Sequence, residues 1–232
     1  FLRDPGQWAQ GLIFLSLLVI YLGGIRTYPL LFTIPVWKVA IAFLNFAFAG
    51  YILATLSVRF VFPVISLEGP MMWLMRSAPV SAKRLLMEKS VLNLAVALVL
   101  TETLSLLSNN ILKTLPQMRL LSHFSLGLMC LAITSLVLGL GAMFPDFKER
   151  NPSRIASGLG GLLAALAGLG YVGLSVVVLA WPAYLYAAGQ WRHQISYGGA
   201  LTAALGIFVL ISAVTIWLPL RLGLKSLERH ET

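Results

Sequence analysis

The chain has 232 residues, 59% hydrophobic and only 11% charged, with a mean hydropathy of +0.88. Soluble domains carry nearer about 25% charged residues, so a protein bathed by water alone is excluded. The net charge of +9 comes from 17 basic and 8 acidic residues; most cations sit between apolar runs, and no basic, aromatic-interleaved segment exists, so nucleic-acid binding is not expected.

The apolar residues fall into six runs, at 8–24, 39–58, 90–108, 123–144, 155–185 and 197–220. About 20 helical residues cross a hydrocarbon core of about 30 Å. The runs do not alternate apolar and polar residues, which excludes a β-barrel. The expected fold is therefore all-α: a polytopic transmembrane helical bundle of about six spans. The first run is the shortest. The fifth is longer than a crossing needs, and either tilts or ends near Trp181-Pro182 with an interfacial extension.

The chain opens on Phe1-Leu2-Arg3-Asp4, without methionine, and its first run lacks a small-residue cleavage site. A piece of a longer protein is expected rather than a signal peptide. With six spans, twelve of the 17 basic residues fall on one side: Arg3, the 59–89 loop, the 148–154 loop and the tail from Arg221. That bias places both termini and the two longer loops in the cytoplasm of a cell membrane. Trp8, Trp37, Trp181, Trp191 and Trp217 lie near run ends, where amphipathic rings favour headgroups.

Asn45 in the second run is a mild polar feature, as is Asn93 in the third, and helix-to-helix hydrogen bonding explains either. Between those runs, the 59–89 loop is too short and too interrupted by proline to span. Pro70 suits a first helical turn, with Glu68 near its positive end. A short amphipathic helix over 70–77 is expected at the inner membrane surface, stopped by Pro79. It either lies on headgroups, anchored by Trp73 and Arg76, or docks into a cytoplasmic partner. Ser81 caps the next helix, which runs through Lys83 and Arg84 into the third span.

Glu102 is the acidic residue well inside an apolar run. An ionisable group at membrane depth faces the bundle interior or a wet cavity. It marks a substrate or proton pathway, or else makes a structural hydrogen bond. Cys130 has no partner for an internal disulfide and reads as a small buried apolar residue. The 144–152 loop is a charged turn, and Asn151-Pro152 starts a helix. Ala156, Gly160, Ala164 and Gly168 stand four apart, a face suited to close helix packing, within one subunit or between halves.

There is no GxxxxGK[ST] phosphate loop and no HExxH zinc helix. His123, His193 and His230 are far apart in sequence. No catalytic residue and no metal site is expected.

One stretch carries a resemblance. Phe62-Pro63-x-x-Ser66-x-Glu68-Gly69, Ser77-Ala78-Pro79-Val80-Ser81 and Leu85-Leu86-Met87-Glu88-Lys89 resemble the inner loop of bacterial ABC exporter permeases. Leu2-Arg3-Asp4-Pro5 with Gln7-Trp8-x-Gln10 is similar to that family's entry into its C-terminal membrane half. Gly139-Leu140-Gly141-Ala142-x-Phe144-Pro145 and Asn151-Pro152 resemble its next inner loop. The resemblance implies a single transmembrane domain over 1–232, the C-terminal half of a longer permease and itself no enzyme. It implies ATP and Mg bound by a separate soluble ATP-binding cassette subunit. Other expected partners are membrane lipid and an N-terminal half or second copy. Coupling to the ATPase would fall on Ser66, Glu68, Gly69, Trp73, Arg76 and Pro79. The alternative from the residues is an ion- or proton-coupled carrier using Glu102. A membrane enzyme acting on lipid or peptide lacks paired catalytic groups.

Overall fold

The computed structural model describes residues 35–69, 82–112, 116–187 and 197–231, with isolated positions 16, 20, 23 and 24 before them. In chain order the helices are α1 (Pro35–Phe60), α2 (Val64–Leu67), α3 (Ala82–Leu112), α4 (Pro116–Met143), α5 (Pro152–Ser157), α6 (Leu159–Ala187) and α7 (Tyr197–Glu231). No strand occurs among the described residues. Proline opens α1, α4 and α5, where its missing N–H would lack an intrahelical partner anyway.

Among the described residues, five segments are long and apolar enough to cross a membrane: Ala40–Leu67, Leu86–Leu107, Arg119–Met143, Leu159–Pro182 and Gly198–Glu228. They correspond to five of the six expected runs. The remaining run, 8–24, lies outside the described residues but for isolated positions, as does the expected surface helix over 70–77.

α4 is the middle of the bundle. It packs against α1, α3, α6 and α7, most extensively against α7. Met129, Cys130, Ala132, Ile133, Val137, Leu138 and Ala142 are all fully buried along it. By contrast, α3 turns Met87, Val91, Leu92, Val96 and Val99 outward. Between apolar helices in lipid there is little hydrophobic drive, so close approach and internal hydrogen bonds hold the bundle. Gly139 on α4 lies against the backbone of Pro219 on α7, and Gly223 lies against Gly139. Gly50 on α1 faces Met129 and Val172. Tyr171 on α6 and Ser212 on α7 are 2.7 Å apart, both buried. Ser212 already donates its hydroxyl hydrogen to the Phe208 carbonyl, so the Tyr171 hydroxyl is the donor between the helices.

Two departures from the expected pattern matter. The long 155–185 run is broken: α5 ends at Ser157, Gly158 is extended with ψ 173°, and α6 starts at Leu159. Gly161 sits directly over the Ala156 carbonyl, a proximity that requires the missing Cβ. At its other end α6 continues through Pro182 to Ala187 instead of stopping there. The second departure is α2. The 59–89 loop begins inside the protein, because Phe62, Ile65 and Ser66 are each only 1% exposed. After α1, the Val61 and Phe62 amides both donate to the Ser57 carbonyl, folding the chain back. The Phe62 carbonyl then rests on Gly141 of α4.

A clasp of three connectors and a polar seam

The C-terminal ends of α1, α4 and α7 and the N-terminal ends of α3 and α6 meet at one end of the bundle. Contacts of Phe62 with Gly141, Phe144 with Gly160 and Gly139 with Pro219 fix this arrangement. Three connections tie the loops there. The Lys89 ammonium on α3 donates to Glu68 Oε1 just after α2, at 2.5 Å, with side chains 30% and 22% exposed. The Asp146 amide donates to the buried Ser66 Oγ at 3.0 Å. Phe147 packs on Gly69, where a Cβ would come within 2.9 Å of its ring. Glu68, Ser66 and Gly69 thus join α2, α3 and the 144–151 connector into one clasp. Of the six residues proposed for coupling, these three are brought together; Trp73, Arg76 and Pro79 lie outside the described residues.

The 144–151 connector is ordered by its own carboxylates. Asp146 Oδ1 accepts from the Lys148 and Glu149 amides, and Glu149 Oε1 from those of Arg150 and Asn151. The Asn151 amide, then the Arg150 amide and the Arg154 guanidinium, hold the Glu149 carboxyl below the usual carboxylate range. Asn151 caps α5 by accepting from the Ser153 amide at 3.0 Å, a device worth about 1 kcal/mol. The connector is therefore more than a solvated link.

Toward the other end, where α3 finishes and α4 begins, polar side chains meet between those two helices. His123 Nδ1 and Glu102 Oε2 are 2.6 Å apart, with side chains 23% and 31% exposed. Further along α3, Asn109 donates to Ser105 at 3.1 Å and to Ser122 of α4 at 3.4 Å. Thr101 and Thr103 bond carbonyls of their own helix. His123 is the residue that sequence reasoning missed. The signal was present: a short connector makes α3 and α4 antiparallel neighbours, setting Glu102 and His123 at similar depth. Asn45 is buried on α1. Asn93 donates to Lys89 of its own helix, so its bond is not between helices. Ala156 stands on α5, apart from Gly160, Ala164 and Gly168 on α6; Gly160 meets Phe62 and Phe144, and Gly168 lies near Ala54. Among the described residues, no group of three or more His, Cys, Asp or Glu side chains gathers to hold a metal.

A family model described as "Putative ATP-binding cassette" matches residues 1–232. Comparison with curated proteins and with solved structures finds no match. The family match corrects the sequence resemblance. That resemblance made the chain a permease subunit with ATP and Mg held only by a partner, itself no enzyme; the alternative made it a carrier driven through Glu102. A family described by ATP binding, matched over the whole chain, overturns all of these. Membership of the ABC transporter class stands, and with it association with transporter components. The described residues do not themselves fit a nucleotide cradle of the phosphate-loop kind. They contain no strand, and the sequence contains no GxxxxGK[ST]. No chemical step is therefore derived through ATP on these residues. The match spans every residue, and the chain belongs to this ATP-binding cassette family.

Proposed function

We propose that this chain works within an ATP-driven transport protein as a helical bundle seated in the cell membrane. Nucleotide-driven motion reaches its spans through the clasp of Glu68, Lys89, Ser66, Gly69 and the 144–151 connector. The observation that carries this reading is the clasp itself. Glu68 ends the described part of the loop that continues through 70–81, and Lys89 lies on the first turns of a long helix. A push on the intervening segment would be delivered to α3 as tilt and, through Ser66 and Phe147, to α4 and α6. On this reading the clasp and both ends of the chain face the cytoplasm. The support is charge: Arg59, Lys89, Lys148, Arg150, Arg154, Arg221 and Lys225 gather at the clasp end, and Trp217 lies under Arg221 at 4.8 Å. A further transporter component docks on the 70–81 segment, which holds Trp73, Arg76 and Pro79.

The test uses the intact protein in lipid nanodiscs, with Cys130 replaced by alanine and spin labels at the exposed positions 87 and 148. ATP with vanadate is expected to shift the distance distribution between the labels, and Glu68→Gln is expected to reduce that shift. An unchanged distribution on nucleotide addition would overturn the reading.

A further inference from the structure

We infer that Arg119 and His123 form a binding site for the head of an anionic lipid, at the end of the bundle remote from the clasp. The inference rests on the bundle lying in a bilayer and is independent of the clasp.

Both residues are on α4, one turn apart, so they share a face. Both carry a buried nitrogen without a hydrogen-bond partner among the described residues: Arg119 Nε and His123 Nε2. A buried polar atom left unpaired is costly, and two on successive turns of one face call for a shared partner: Arg119 Nε donates in every state, and His123 Nε2 donates when the imidazole carries both hydrogens. Glu102 fixes the imidazole by engaging Nδ1 at 2.6 Å, which leaves Nε2 to face another group. The arginine is always charged, and its planar fork suits phosphate oxygens. Both residues stand near the N-terminal end of α4, whose positive end also favours an anion.

An apolar ridge runs beside this pair. Leu120 is 75% exposed and Phe124 is 55% exposed. They are the next residues after Arg119 and His123 and are likewise one turn apart. A ligand with a phosphate on Arg119 and His123 can lay its acyl chain along Leu120 and Phe124. A soluble anion would leave that ridge unused. Charge complementarity and the adjoining apolar strip thus select a phosphate-headed lipid over inorganic phosphate.

The full chain is reconstituted in bilayers of equal phosphatidylcholine and phosphatidate, released gently into detergent, and its retained lipids are counted by native mass spectrometry. Wild type is expected to retain phosphatidate about tenfold over phosphatidylcholine, which corresponds to about 1.4 kcal/mol. The double variant Arg119→Gln, His123→Gln is expected to lose that preference while keeping its helical circular dichroism, and Glu102→Gln to weaken it partly. Arg221→Gln, at the opposite end, is expected to keep it. Equal retention of the two lipids by wild type would overturn the inference. So would an undiminished preference in the double variant, or a loss in Arg221→Gln matching that of the double variant. Displacement of the lipid by millimolar inorganic phosphate would overturn the lipid assignment. A nucleotide-insensitive clasp alongside retained lipid preference would sink the proposed function and leave this site standing.

Discussion

Glu149 gathers two backbone amides and the Arg154 guanidinium while lying in an exposed connector. Its carboxyl is held low in the folded protein, so its contribution is present above the unfolded value, about 4.3. That contribution is lost as pH falls through the folded value. Protection of the Arg150 and Asn151 amides against exchange, relative to the intrinsic rate at each pH, is therefore expected to fall as pH drops below that unfolded value, and Glu149→Gln should flatten that dependence. Glu68 and Lys89 are paired over 2.5 Å and mostly buried. A double-mutant cycle with Glu68→Gln and Lys89→Gln is expected to return a coupling of about 1 kcal/mol, read from thermal unfolding in detergent. A coupling near zero would reduce the pair to a bystander. At this scale the sequence was legible where a residue was unusual for its surroundings. Glu102 stood out as an acid within an apolar run, and Glu68 by standing two residues ahead of Pro70. Their partners were not legible, because His123 and Lys89 look ordinary until the helices that carry them are placed side by side.

The meeting of α4 and α7 depends on bare backbone. A methyl group on Gly139 would run into the Pro219 carbonyl, which is main chain and cannot swing away. Gly139→Ala is expected to destabilise the bundle by about 1–3 kcal/mol, through overpacking. Gly206 on the same α7 has open space around its Cβ position. Gly206→Ala should be neutral or stabilising by up to about 1 kcal/mol, since alanine favours the helix. Similar melting shifts for the two variants would refute the close-packing account. The helices themselves were legible from run length. Their breaks were less so: hydropathy reads straight through Ser157 and Gly158, since a short non-helical step among small residues leaves the apolar run intact. The short α2 was hidden for a related reason. Val64-Ile65-Ser66-Leu67 follows a proline in a loop, and nothing local reveals that Phe62 and Ile65 tuck against α4.

Among the described residues most cations collect at the clasp end, and the placement in the membrane is tested there. In intact cells, single cysteines at positions 146 and 148 in a Cys130→Ala background are expected to resist a membrane-impermeant thiol reagent until the membrane is opened. Ready labelling from outside would reverse the bundle. The five apolar helices seen match expected runs, whereas the chemistry attached to them by motif resemblance was corrected by the family match. The reason is physical: hydropathy is set by the bilayer, while membership of an ATP-driven system is carried by features that lipid does not dictate. The position of α4 has one more consequence. Of its four long neighbours, α1 and α3 leave the ribosome before it, and α6 and α7 after it. The flank destined for α7 must wait in lipid, or under a chaperone, until α7 is made. Lesions along that flank, Gly139 included, will first show as poor yield during biogenesis, ahead of the lowered melting temperature of the molecules that do complete assembly.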